Sequence, residues 1–105
     1  MIDIIYKRSG ERFKLTMTGH AGSGEVGHDI VCAAASMLAF TLAANLSSLW
    51  ADGDIDVERL TLELGNADIC CTGKKAATSF ATIRMGFLLL AEQYRDNVKY
   101  TETEG

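Results

Sequence analysis

A histidine and a cysteine, two residue types that together support covalent catalysis, bracket a glycine-rich run between Gly19 and Ser36, GHAGSGEVGHDIVCAAAS. A cysteine sulfur attacks a carbonyl once a neighbouring base takes its proton, and His20 and Cys32 could fill those roles. Asp29 is a good N-cap, and helical apolar spacing follows it, so Cys32 is expected in the first turn of a helix. Free backbone N–H groups and the positive end of the helix dipole stabilise a thiolate there. The same N–H groups could receive the oxyanion of a tetrahedral intermediate. Asp29, Cys32 and Ser36 follow i, i+3, i+7 spacing and share one helix face. Gly22, Gly24 and Gly27 would make a flexible substrate loop that lets His20 fold back from a strand end onto Cys32. Spacing alone does not separate this pair from a cysteine buried as a small hydrophobe.

Other chemistry in the run is weaker. GSGEVG, Gly22 to Gly27, fits the G-x-G-x-x-G pattern of dinucleotide sites. That pattern needs a parallel βαβ unit and an acidic residue about 20 positions on. Here the preceding strand reads as half of a hairpin, and Asp52 and Asp54 come only after the helix has broken. No Gly-Lys-Ser/Thr follows, so it is not a Walker loop either. His20, His28, Asp29 and Cys32 match no common zinc spacing, and His28 reads as an exposed loop residue. Neither a metal nor a cofactor is expected.

The elements that must position this run belong to one domain, residues 1–105. Ile2-Asp3-Ile4-Ile5-Tyr6 reads as a strand, Ser9-Gly10 as a turn, and Phe13, Leu15 and Met17 as the apolar side of a second strand. Val31, Ala35, Leu38, Leu42, Leu46 and Leu49 form a helical stripe, which Ile30, Ala33, Met37, Phe40 and Ala44 widen beyond a surface helix. Such a helix needs cover from a sheet and from a second helix or a second subunit. After a break at Ala51-Asp52-Gly53-Asp54, Val57, Leu60, Leu62 and Leu64 mark a third strand. Gly65-Asn66 signals a hairpin turn, and 67–72 a fourth strand. Ala76, Phe80, Ile83, Phe87, Leu90 and Tyr94 make a second helix, and 97–102 a short edge strand. The order ββαββα(β) predicts an α+β fold: an antiparallel sheet of four to five strands with two helices on one face.

Composition narrows the partners. A net charge of −4, with Lys7-Arg8 and Lys74-Lys75 the only basic pairs, argues against nucleic acid and would suit a basic protein. Three cysteines, Cys32, Cys70 and Cys71, make no disulfide framework, which points to a reducing compartment. The adjacent Cys70 and Cys71 would face opposite sides of a strand, as core or edge fillers. MIDIIYKR lacks the order of a signal peptide, so the cytoplasm is the default. Residues 30–51 are uncharged, yet rich in Ala and containing Ser36, Thr41, Asn45, Ser47 and Ser48. They read as a buried soluble helix rather than a membrane span.

The run Gly19 to Ser36 resembles the signature of the Prp ribosomal-processing cysteine proteases. The match lies in Gly-His-Ala, a small-residue loop, Gly-x-Asp-Ile-Val-Cys-Ala-Ala, and a Ser four positions past the Cys. Outside this run the resemblance rests on length and element order. It implies a catalytic histidine at His20, a nucleophile at Cys32, and the family's characteristic Asp and Ser at Asp29 and Ser36. It also implies a homodimer, and removal of a short N-terminal extension from a bacterial large-subunit ribosomal protein (L-twenty-seven), cut after an aromatic residue. Ala35 stands where the family usually has a β-branched residue, a difference in packing. Asp29 could orient His20 or only cap the helix. The alternative function is a non-catalytic acidic module that docks on a basic ribosomal or assembly partner.

Overall fold

The strands turn most of their apolar residues to one side of the sheet. The computed structural model describes residues 1–19, 28–63 and 65–105, with the backbone alone for His28 and Asp29. Its elements are β1 (Ile2–Ser9), β2 (Arg12–Thr18), α1 (His28–Ala51), β3 (Asp56–Glu63), β4 (Asn66–Thr72), α2 (Ala76–Gln93) and β5 (Val98–Glu104). The five strands form one sheet in the order β3-β4-β2-β1-β5. The expected ββαββαβ order holds. The first four strands pair antiparallel, and β5 joins β1 in parallel, with Ile2 opposite Val98, which makes the sheet mixed. β5 can lie this way because α2 carries the chain back over the sheet before it begins.

Alternation decides which face is covered. Ile2, Ile4 and Tyr6 of β1, Phe13, Leu15 and Met17 of β2, and Ala67, Ile69 and Cys71 of β4 are buried in one core. Val31, Ala35, Ala39, Leu42 and Leu46 of α1 and Phe80, Phe87 and Leu90 of α2 close that core from the helix side. In β3 the inward residues Val57 and Leu60 stand three apart, which breaks strict alternation. A register shift between Val57 and Arg59 absorbs the extra residue as a bulge and restores the inward direction for Leu60 and Leu62. Leu64, expected to extend this series, lies outside the described residues.

The first helix is less enclosed than its composition suggests. Its segment Ile30–Ala51 is long and apolar enough to cross a membrane by length and composition, with 44% of that window buried here. One side rests on the sheet and on α2, where Leu38 lies against Gly86. The other side leaves Ile30, Met37 and Phe40 exposed. The helix ends in a Schellman turn: Gly53 takes φ +77°, Asp54 N–H donates to Leu49 O at 2.9 Å, and Gly53 N–H to Trp50 O at 3.0 Å.

A polar clasp holds β5 to α2. Arg84 donates to both carboxylate oxygens of Glu102, with Nη2 at 2.9 Å, and Tyr100 Oη donates to the same carboxylate at 2.7 Å. These donors, Arg84 foremost, hold the Glu102 carboxyl below its usual range. The folded pKa is the lower one, so the clasp stabilises fully above the unfolded value and fades as pH falls through the folded value. Glu102→Gln should therefore mimic acid. At neutral pH the β5 amides bonded to β1 should exchange several-fold faster in the variant, and the difference from wild type should close as pH drops below the carboxylate range. Identical exchange at neutral pH would rule the clasp out as a support.

Candidate active site

Three elements meet at the head of α1. The alternating strand β2 ends at Thr18, and Gly19 follows it. His20, Gly22, Gly24 and Gly27 lie outside the described residues, as do the side chains of His28 and Asp29. The helix itself starts at His28, before the expected cap, so Asp29 falls within the first turn. Cys32 is thus the fifth helical residue, just past the first turn. Its side chain leans back over that first turn, as helical side chains do, so it still points toward the helix head. His28 is helical and not part of the loop.

Cys32 is 5% exposed and Ser36, one turn further along the same face, is 2% exposed. What covers them comes from the β3–β4 connection. Gly65 N–H donates to Ser36 Oγ at 2.9 Å, a buried bond that satisfies both groups. Ser36 thus anchors the turn through its hydroxyl oxygen. The backbone at Gly65 takes φ +81°, a left-handed conformation that glycine adopts without strain. A Cβ placed on Gly65 would lie 3.1 Å from Cys32 Sγ, so the sulfur rests against bare backbone. Gly19 lies beside the same turn: its O is 3.9 Å from that Cβ position, and Gly65 O would meet a Cβ placed on Gly19 at 3.3 Å. The Cys32 sulfur and Gly19, the residue after β2, thus both adjoin the turn at Gly65.

From its sequence context, Gly65 reads only as part of a turn. Glu63 pairs with Asn66, so Gly65 lies in the connection and Asn66 already belongs to β4. The local signal for the turn was present, while its contact with a thiol 33 positions earlier arises only when α1 docks on the sheet.

The other two cysteines take no part. As their adjacency required, they face opposite sides of β4. Cys71 lies in the core under the helices, and Cys70 places its Sγ 3.6 Å from Glu58 Oε2, beside the Arg12–Glu58 ion pair. Burial pushes the Cys71 thiol up to about 11 and raises that of Cys70 as well, so both stay protonated at neutral pH. They sit five and six residues along the strand from Gly65, roughly 17 to 20 Å at about 3.4 Å per residue.

The surroundings of the glycine run also decide the dinucleotide question. β2 and β3 run in the same direction, because each is antiparallel to β4, but β4 lies between them. The βαβ unit through α1 is therefore split, and the strand before the loop pairs antiparallel on both sides. A nucleotide fold of this kind needs the two strands side by side.

A thiol at a helix head, an anchored turn against it and a strand end beside that turn form an arrangement suited to acyl transfer. Comparisons with known proteins agree. The family model described as cysteine protease Prp matches residues 1–99. The ribosomal processing cysteine protease Prp of Staphylococcus aureus is 27% identical over 99 residues, covering 93% of each chain. A crystal structure of SMU.848 from Streptococcus mutans superposes with TM-score 0.72 and 28% identity, over 100% of this chain and 96% of that one. Prp of S. aureus in complex with a substrate peptide shares the fold at TM-score 0.74 and 21% identity, over 98% and 100% of the two chains. With the family model spanning nearly its whole length and the fold in agreement, this chain belongs to the Prp family of cysteine proteases.

Proposed function

We propose that the protease removes a short N-terminal extension from a bacterial large-subunit ribosomal protein (L-twenty-seven), with Cys32 as nucleophile and His20 as general base. The observation that supports the reading is that the Cys32 sulfur and Gly19, the residue before His20, both adjoin the turn at Gly65. His20 takes the Cys32 proton as sulfur bonds to the scissile carbonyl, and then returns it to the leaving amine. The N–H groups of the first turn of α1, which lack partners within the helix, are suited to the intermediate's oxyanion. Water then breaks the thioester. Two facts about relatives support the scheme. The S. aureus protein is described as ribosomal-processing, and its Prp has been crystallised with a covalently linked product peptide. The net charge of −4 suits a basic ribosomal substrate. Three free thiols favour a reducing compartment, the cytoplasm.

The test is incubation with the extended ribosomal protein, followed by intact mass and N-terminal sequencing. A mass loss equal to the extension, with a new N-terminus after an aromatic residue, is the expected result. An unchanged mass with binding retained would instead favour the docking module.

We also infer a homodimer formed through α1. Ile30, Met37 and Phe40 are 67%, 64% and 37% exposed, and with Ala33 and Ala44 they repeat at intervals of three and four. This is the spacing by which two helices pair along a seam, and an apolar stripe left in water marks an interaction surface. Met37→Glu should convert a dimer to a monomer in sedimentation velocity with the melting temperature nearly unchanged. A wild-type chain that sediments as a monomer at tens of micromolar would refute the inference.

A further inference from the structure

We propose that Gly65 is a positioning residue of the active site, a bare-backbone turn against which both the Cys32 sulfur and the end of β2 are set. The inference rests on the reading of Cys32 as nucleophile and His20 as base. Gly65 is held on three sides. Its N–H is committed to the buried Ser36 Oγ at 2.9 Å, its α-carbon faces Cys32 Sγ, and its carbonyl abuts Gly19. Ser36 lies four residues past Cys32, so both side chains project from the same helix face. An anchor at Ser36 therefore presses the turn onto the sulfur beside it. The left-handed backbone at Gly65 turns its missing side-chain position toward the thiol, so any other residue would strain the turn and shift the sulfur or the turn by a few tenths of an ångström. Displacement of the turn moves Gly19, and with it the start of the segment that carries His20. Proton transfer and attack on a carbonyl tolerate little such error, since a misplacement of about 1 Å costs up to about a hundredfold in rate.

The test compares Gly65→Ala, Gly65→Asn, Ser36→Ala and Ser36→Thr with wild type. The substrate is a peptide spanning the junction of the L-twenty-seven extension. Asparagine tolerates positive φ better than alanine while still placing a Cβ against the sulfur, so it separates contact from backbone strain. Both Gly65 variants should lose about tenfold or more in kcat with KM within about threefold. Ser36→Ala should lose kcat in the same way, and Ser36→Thr, which restores the hydroxyl, should recover most of it. The labelling rate of Cys32 by iodoacetamide, followed by mass spectrometry, reads the same geometry without substrate and should fall at least about fivefold in both Gly65 variants. Thermal melts identify any variant that does not fold; if Gly65→Ala is one, Gly65→Asn and Ser36→Ala carry the test. Wild-type kcat and labelling in Gly65→Asn would overturn the positioning role, and so would a rise in KM alone, which would make the turn a substrate contact. Those results together with an inactive Cys32→Ala leave the nucleophile reading standing. Full activity in Cys32→Ala would overturn both.

Discussion

Cys32→Ala should abolish peptide cleavage while leaving the fold in place. Without the sulfur no acyl-enzyme forms, and only the donors at the head of α1 and the binding of the peptide remain, so kcat/KM should fall by at least about three orders of magnitude. The structural cost is small by comparison. Cys32 is buried, and deleting one heavy atom beside Gly65 leaves a small void, for about 1 kcal/mol of stability. Substrate binding should persist, so the variant is expected to retain the peptide and not turn it over. Cys70 and Cys71 cannot substitute, since both lie away from the turn at Gly65 with thiols raised by burial. Single-turnover assays with intact-mass detection give the answer: a covalent adduct in wild type and none in Cys32→Ala. Cleavage by the variant at the wild-type rate would remove Cys32 from the mechanism.

Phe80→Ala should produce the largest loss of stability. Phe80 is 2% exposed at the centre of the helix–sheet interface. Its ring stacks on Phe13 of β2 at 5.1 Å and on Tyr6 of β1 at 5.6 Å, tying α2 to two central strands. Removing a buried phenyl ring leaves a cavity that such packing cannot close, at about 3–5 kcal/mol. The two ring contacts place this site in the upper part of that range. A domain of this size has only about 5–15 kcal/mol to lose. The melting temperature should fall by roughly 12 °C or more in calorimetry, at about 4 °C or more per kcal/mol. Met85→Ala, on the exposed side of the same helix, should change stability by no more than about 0.5 kcal/mol. A Phe80→Ala melt within about 4 °C of wild type would show that the core repacks around the gap.

Much of this molecule was legible before any coordinates, because the signals are local. Alternation in 2–6 and 13–17 named two strands and their inner faces, since side chains in a strand alternate across the sheet. Apolar spacing of three and four placed both helices, and the residues around Cys32 placed the thiol near a helix head. Adjacency alone put Cys70 and Cys71 on opposite faces. The limits were also physical. The cap expected at Asp29 gave way to a helix that begins at His28, because a cap residue and a first-turn acid look alike in sequence. The three-residue gap between Val57 and Leu60 became regular only through a bulge whose position depends on β4. No local pattern says whether a last strand lies parallel or antiparallel, so the placement of β5 beside β1 followed from where α2 returns the chain. By itself, then, the sequence determined the element order, the inward faces and the candidate His20–Cys32 pair, since each depends on neighbours a few residues apart. Only the tertiary structure decided that Gly65, anchored by Ser36, adjoins both the sulfur and the residue after β2. That contact joins residues 19, 32, 36 and 65, and it exists only once α1 has packed on the sheet.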